Sequence, residues 1–114
     1  MNILLVEDEV RIAAFLVKAL RRQGYDVEHV ETGGDALERL AGDRWSLVLL
    51  DLGLPDMDGL DVIRELRDRG STLPLIVITA RAAERDAVLS RGADDFLAKP
   101  LSMKHLLSRI AAHT

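Results

Sequence analysis

Three stretches of the chain, Ile3-Leu4-Leu5-Val6, Leu47-Val48-Leu49-Leu50 and Leu75-Ile76-Val77-Ile78, are apolar at every position. A strand with one face in water alternates apolar and polar residues, so unbroken runs of this kind belong to strands covered on both faces, as in the parallel sheets of α/β proteins. Amphipathic stretches separate the runs, and the alternation repeats five times, which predicts strands near 2–6, 26–30, 45–50, 75–79 and 95–98. Asp26-Val27-Glu28-His29-Val30 alternates in polarity and is therefore expected at a sheet edge.

The intervening segments read as helices. Ile12, Phe15, Leu16, Ala19 and Leu20 fall at helical spacing, with Lys18, Arg21 and Arg22 outward and Gly24 as the stop. A second helix is expected from about Gly34 to Ala41, burying Ala36, Leu37 and Leu40, and a third over about 59–68, burying Leu60, Ile63 and Leu66. A fourth, near 83–91, is short, weakly apolar and closed by Gly92. The fifth starts after the N-cap Ser102 and turns Leu106, Leu107 and Ile110 inward. Right-handed crossovers then place helices on both faces of a doubly wound, five-stranded parallel sheet of order 2-1-3-4-5, a flavodoxin-like fold. In that order the ligand crevice lies above the C-terminal ends of strands one and three.

Composition narrows the classes. The 114 residues make one domain, spanning 1–114, and 48% hydrophobic with 30% charged residues suits a compact soluble chain. Zero cysteines exclude disulfides and thiolate chemistry, and His29, His105 and His113 form no ligand spacing, so they read as solvated side chains. A net charge of −4 argues against nucleic-acid binding by this domain. No stretch suits a membrane helix or a signal peptide, and a cytoplasmic location is expected.

The ends of strands one and three carry acids: Glu7-Asp8 after the first run and Asp51 after the third strand's run. Crowded like charges oppose one another's ionisation, and a divalent cation resolves that conflict. Mg²⁺ takes one or two carboxylates and keeps waters that phosphate oxygens can replace; Asp8 and Asp51 suit direct coordination and Glu7 a water-mediated place, with Mn²⁺ as the alternative ion. The competing explanation has Asp8 capping the first helix and Glu7 complementing its dipole, but Asp51 gains nothing from that. Thr79 and Lys99, at the ends of strands four and five, add a hydroxyl and a compact ammonium. A carboxylate nucleophile, a metal, a hydroxyl and an ammonium are what attack on a phosphoryl group requires.

These residues stand in segments that resemble the receiver domains of two-component response regulators: ILLVEDE from Ile3 to Glu9, LLDLGLPDMDG from Leu49 to Gly59, VITAR from Val77 to Arg81, and GADDFLAKP from Gly92 to Pro100. The resemblance implies Asp51 as phosphoacceptor, Glu7 and Asp8 as the acid pair, and the Gly53 carbonyl as a further metal ligand. It implies Thr79 as the switch hydroxyl, Phe96 as the switch aromatic that turns inward on activation, Lys99 as the bridging cation, and a cis Lys99–Pro100 peptide. A sensor histidine kinase is the implied partner, and the chemistry is self-phosphorylation and autodephosphorylation rather than turnover of a substrate. The Thr-Ala-Arg and Gly-Ala-Asp-Asp-Phe segments most resemble the winged-helix transcriptional-regulator subfamily, which implies a homodimer through helix four, strand five and helix five and DNA contact through a domain outside this chain. Two departures stand out. Ten residues, Ala82 to Arg91, separate Arg81 from Gly92, fewer than the family usually has, so helix four is expected short or displaced; Leu101 replaces a usual phenylalanine.

Three rivals compete. A flavin carrier of this fold would place a phosphate in the loop after strand one, where Glu7-Asp8-Glu9 repels it. Asp56-Met57-Asp58-Gly59 resembles the start of a haloacid-dehalogenase-type phosphatase, yet it follows Pro55 rather than a buried strand. A phosphorylation-independent receiver-like interaction module would not need all five of Glu7, Asp8, Asp51, Thr79 and Lys99. Trp45, the single tryptophan, is a metal-binding reporter if it lies near the site.

Overall fold

In a computed structural model describing residues 1–114, the three unbroken apolar runs form the middle of a parallel sheet. The strands are β1 (Asn2–Val6), β2 (Asp26–Val30), β3 (Leu47–Leu50), β4 (Leu75–Thr79) and β5 (Asp95–Ala98), and they alternate with the helices α1 (Val10–Arg22), α2 (Gly33–Arg39), α3 (Gly59–Asp68), α4 (Arg85–Ser90) and α5 (Met103–Ala112). Their order, β2-β1-β3-β4-β5 with every pairing parallel, is the doubly wound order expected, and β2 is the edge its alternation indicated.

The pleat explains the apolar runs. Ile3, Leu5, Leu47, Leu49, Ile76 and Ile78 face α1 and α5, where Leu16, Leu20, Leu106 and Ile110 cover them. Leu4, Val6, Val48, Leu50, Leu75 and Val77 face α2, α3 and α4, under Leu37, Val62, Ile63, Leu66 and Val88. All of these strand residues are at 0% exposure, so neither face offers a polar position.

Several details differ from the sequence expectations. In α1 the buried stripe is Ala13, Leu16 and Leu20, while Phe15 is 57% exposed. Two residues turn a helix by roughly 200°, so the small Ala13 against the sheet puts Phe15 outside. Thr32, whose hydroxyl accepts the Asp35 N–H at 3.1 Å, starts α2 one residue early, and α2 ends at Arg39. The strand β3 begins at Leu47. Trp45 instead donates its indole N–H to the Arg39 carbonyl at 2.9 Å, beneath the Arg44 guanidinium 4.3 Å from the ring centroid. Six steps of extended chain, roughly 20 Å, lead from Trp45 to Asp51, which removes it as a reporter of the crevice. The fourth helical segment is a 3-10 turn, Ala82–Glu84, followed by the six residues of α4.

One packing contact ties the fold to the crevice. A Cβ on Gly59, the first residue of α3, would meet Leu52 Cα at 2.7 Å and the Asp51 carbonyl oxygen at 2.8 Å. Backbone cannot yield as a side chain does, whereas a Cβ on Gly33 meets only the flexible end of Met57 and the Val62 side chain. Gly59→Ala should therefore destabilise the protein by on the order of 2 kcal/mol, and Gly33→Ala by clearly less, as read from urea unfolding; equal losses would show that the α3 start does not press on Asp51.

Candidate functional site

The sheet register builds the site. Val6 pairs with Leu50, so Glu7 and Asp51 are the next residues of adjacent parallel strands. Backbone bonds extend the ladder past them: the Glu7 N–H donates to the Val30 carbonyl and the Asp51 N–H to the Val6 carbonyl, both at 3.0 Å. Thr79 ends β4, and the Lys99 N–H donates to its carbonyl at 2.9 Å. Four of the expected residues are thus placed by strands rather than by mobile loops.

Their side chains meet in one crevice. Carboxylate oxygens of Glu7, Asp8 and Asp51 all lie within 4.8 Å of one another. The Lys99 Nζ donates to Glu7 Oε1 at 2.7 Å, Asp51 Oδ2 at 3.0 Å and Glu9 Oε1 at 3.1 Å. The Lys99–Pro100 peptide is cis. Glu7, Asp51 and Thr79 are buried, and the Thr79 hydroxyl accepts the Arg81 N–H at 3.2 Å. Gly53 is an exposed loop residue whose N–H donates to Asp51 Oδ1 at 3.4 Å. Phe96 lies apart from this group, already turned inward on the face covered by α2, α3 and α4.

Asp8 keeps to the metal-site reading, while three side chains, Glu9, His29 and His113, depart from theirs. Asp8 makes no capping bond; the N-cap of α1 is Glu9, and the Glu9 N–H donates to Glu7 Oε2 at 3.3 Å. Glu9 itself was missed as a Lys99 partner, its only signal being its place in the Glu7-Asp8-Glu9 run. His29 and His113 are not merely solvated: His29 Nε2 lies 2.6 Å from the Glu7 carbonyl oxygen, and His113 Nε2 lies 3.1 Å from Asp95.

Electrostatics distinguish the acids. Burial pushes the Glu7 carboxyl up to about 7, with neighbouring Asp51 adding to the rise and Lys99 opposing it. Burial would also raise Asp51, but its polar neighbours Glu7, Lys99 and Thr79, with Lys99 donating directly, outweigh it and hold Asp51 below the usual aspartate range. Burial alone would lower the Lys99 ammonium, and the two carboxylates raise it instead. One proton on Glu7 therefore relieves the crowding. The donors are hard oxygens in anionic excess, which fits a hard divalent ion of the Mg²⁺ class rather than a soft metal.

A carboxyl raised on folding keeps a proton that the unfolded chain has lost, so its contribution to stability falls as pH rises from about 4.5 through about 7. In chelator, Glu7→Gln should remove that decline and raise stability at pH 8 by on the order of 1–2 kcal/mol, a discounted part of the shift. Thermal unfolding at pH 5.5 and pH 8 checks it, and an unchanged pH slope in the variant would exonerate Glu7.

Comparison with known proteins agrees with this geometry. The family model described as "Response regulator receiver domain" matches residues 3–111. Response regulator MprA of Mycobacterium leprae is 45% identical over 98% of this chain and 50% of its own length, and that of Mycolicibacterium vanbaalenii 43% identical over 97% and 49%. The chain thus spans about half the length of these relatives. The response regulator TrrA of Thermotoga maritima, solved in complex with Mg²⁺ and BeF, superposes with a TM-score of 0.92 at 29% identity, covering 99% of this chain and 98% of that one. The receiver domain of a Pseudomonas aeruginosa sensor histidine kinase, solved with magnesium in its active-site cleft, gives 0.89 at 34% identity, covering 97% and 94%. With three acids clustered at the strand ends, two of them on Lys99, and the match running from Ile3 to Ala111, the chain belongs to the receiver domains of two-component response regulators.

Proposed function

We propose that Asp51 is the phosphoacceptor of this receiver, with Asp8, Glu7 and the Gly53 carbonyl completing a Mg²⁺ site in which Mn²⁺ can substitute. The observation that carries this reading is the convergence of the Glu7, Asp8 and Asp51 carboxylates beside Lys99, with the Asp51 carboxyl held below the usual aspartate range. An Asp51 oxygen attacks the phosphorus of a phosphohistidine on the partner kinase, the P–N bond breaks, and imidazole leaves. The same attack on acetyl phosphate expels acetate. Water later attacks the phosphorus of the acyl phosphate, releasing orthophosphate and restoring the carboxylate. Bound Mg²⁺ supplies charge neutralisation between carboxylate and phosphoryl oxygens.

In this reading Lys99 exchanges its bond to Asp51 for one to the incoming phosphoryl group. Thr79 gives up the Arg81 N–H to donate to the same group, and Phe96, already inward here, packs into the space vacated. The repacked surface of α4, β5 and α5 passes the signal on and serves as the homodimer face. A transcriptional output, through a DNA-binding domain of the full regulator, is inferred from the Thr-Ala-Arg and Gly-Ala-Asp-Asp-Phe segments and from the net charge of −4 on this domain, and a cytoplasmic location goes with it. No helix is long and apolar enough to cross a membrane.

We infer that the kinase approaches over α1. The helix α1 contains no acid but carries Arg11, Lys18, Arg21 and Arg22, and it displays Val10 and Phe15 at 66% and 57% exposure. A groove of about 280 Å³ between Phe15 on α1 and Pro100-Leu101 leads to Lys99. That face suits an amphipathic, acidic helix presenting its histidine to Asp51.

Intact-protein mass spectrometry after incubation with acetyl phosphate and Mg²⁺ tests the assignment. One phosphate should add to the wild type and none to Asp51→Asn or to chelated protein; a full adduct on the variant would sink Asp51, and no adduct at all would favour a phosphorylation-independent interaction module. Lys99→Arg should slow labelling by roughly tenfold or more, since a planar fork cannot sit where a compact ammonium reaches three carboxylates. Labelling at the wild-type rate would count against Lys99.

A further inference from the structure

Arg81, two residues past β4, joins the two loops that border the crevice. Its Nη2 donates to Asp58 Oδ2 at 2.9 Å and to Glu84 Oε1 at 2.7 Å, while its Nε faces the other Glu84 oxygen as an ion pair, enclosed and off-axis for a hydrogen bond. Asp58 belongs to the loop after β3, where its Oδ1 caps α3 by accepting the Leu60 N–H at 2.9 Å. Glu84 closes the 3-10 turn and occupies the N-cap position of α4. No second cation forms an ion pair with either carboxylate. The Arg81 backbone N–H is at the same time the donor to the Thr79 hydroxyl. One residue therefore holds Thr79 by its main chain and both loops by its side chain.

The geometry points to an ionic latch: the Asp58–Arg81–Glu84 triad holds the loop after β4 in its resting position, and Thr79 reaches a phosphoryl group on Asp51 only as that latch loosens. The inference rests on the phosphoacceptor reading above and adds to it a positioning residue that sets how readily the domain switches. Pulling Thr79 toward Asp51 breaks the Arg81 N–H bond first and strains the guanidinium contacts next, because Asp58 is fixed by its own cap on α3. The side chains of Asp58, Arg81 and Glu84 are 39%, 36% and 31% exposed, so each pair biases an equilibrium by up to about fivefold rather than locking it. A bias of that size can be overcome by a doubly charged phosphoryl group and still be felt as a difference in rate.

The test uses Asp58→Asn, in which the amide oxygen still caps α3, Glu84→Gln, their combination, and Arg81→Lys, which keeps the charge but not the fork. Two quantities are read: the rate of acetyl phosphate labelling at fixed Mg²⁺, and amide hydrogen exchange over residues 80–85 in the unmodified protein. The double variant should label about threefold to tenfold faster and exchange faster over 80–85 by a similar factor, with Arg81→Lys between it and the wild type and exchange in β1 and β3 unchanged. A labelled wild type with variants at the same rate would overturn the latch alone, and faster exchange without faster labelling would reduce the triad to a loop staple, which also overturns it. A wild type that takes no label would fail the phosphoacceptor reading first, and the latch with it.

Discussion

The Lys99 ammonium, in contact with Glu7, Asp51 and Glu9 at 2.7, 3.0 and 3.1 Å, is the interaction on which the crevice depends. Two of those carboxylates are buried, and a third acid, Asp8, sits within the same 4.8 Å cluster. Buried ion pairs are weak evidence of stabilisation, because desolvation can cancel the Coulomb gain. Here the cancellation is visible in Glu7, which prefers to keep a proton even with an ammonium beside it. The site is thus a place where folding accepts an electrostatic cost, and a divalent cation held by these acids would convert that cost into affinity.

Such a cost is bearable only if the backbone cannot relax away from it. The carboxylates are carried by residues continuing β1 and β3 in register, and the ladder bonds from Glu7 to Val30 and from Asp51 to Val6 hold them there. The loop after Asp51 is stapled on both flanks. Asp56 accepts the Gly33 and Gly34 N–H groups at 2.9 Å each, which holds its carboxyl below the usual aspartate range, and Asp58 caps α3. Gly59 pressing on the Asp51–Leu52 backbone completes the support. By contrast the loop after β4 is held to this platform through the partly exposed Arg81 contacts, so movement is channelled to the Thr79 side.

This division explains what was readable in the sequence. Continuous apolar runs permit one interpretation, so the sheet, its order and the strand-end placement of Glu7, Asp51, Thr79 and Lys99 could be inferred from patterning alone. Helix rotation was less legible: Ile12, Phe15 and Leu16 satisfy a helical stripe as well as Ala13, Leu16 and Leu20 do, and only the small Ala13 against the sheet decides which face turns in. Glu9 as a Lys99 partner stayed hidden because three consecutive acids give no register by themselves. The strand-end acids of the metal set followed from placement and charge crowding, whereas the Gly53 carbonyl as a ligand and the Phe96 switch came from family resemblance, and chemistry of that kind is invisible to periodicity.

The two aspartates of the Gly-Ala-Asp-Asp-Phe segment show why a motif need not be a site. Asp94 accepts the Leu75 N–H at 2.9 Å and pairs with Arg67, while Asp95 pairs with Arg109 and His113 on α5. Arg67 on α3 also donates to the carbonyls of Gly92, Leu73 and Ser71 at 2.9, 2.8 and 3.2 Å. A helix of six residues cannot stabilise itself, so α4 depends on what grips its ends. Its C-terminal turn is gripped by Arg67 through Gly92, whose φ of 114° and the Arg67 side chain 2.9 Å from where a Cβ would stand leave room only for glycine. Its N-terminal turn is held through Glu84 by Arg81. In the proposed switch, a helix held this way would move first at its N-terminal turn, where only partly exposed charges hold it. The shortened segment therefore remains compatible with transmission from Thr79 to the α4–β5–α5 face, by rotation about its Gly92 end.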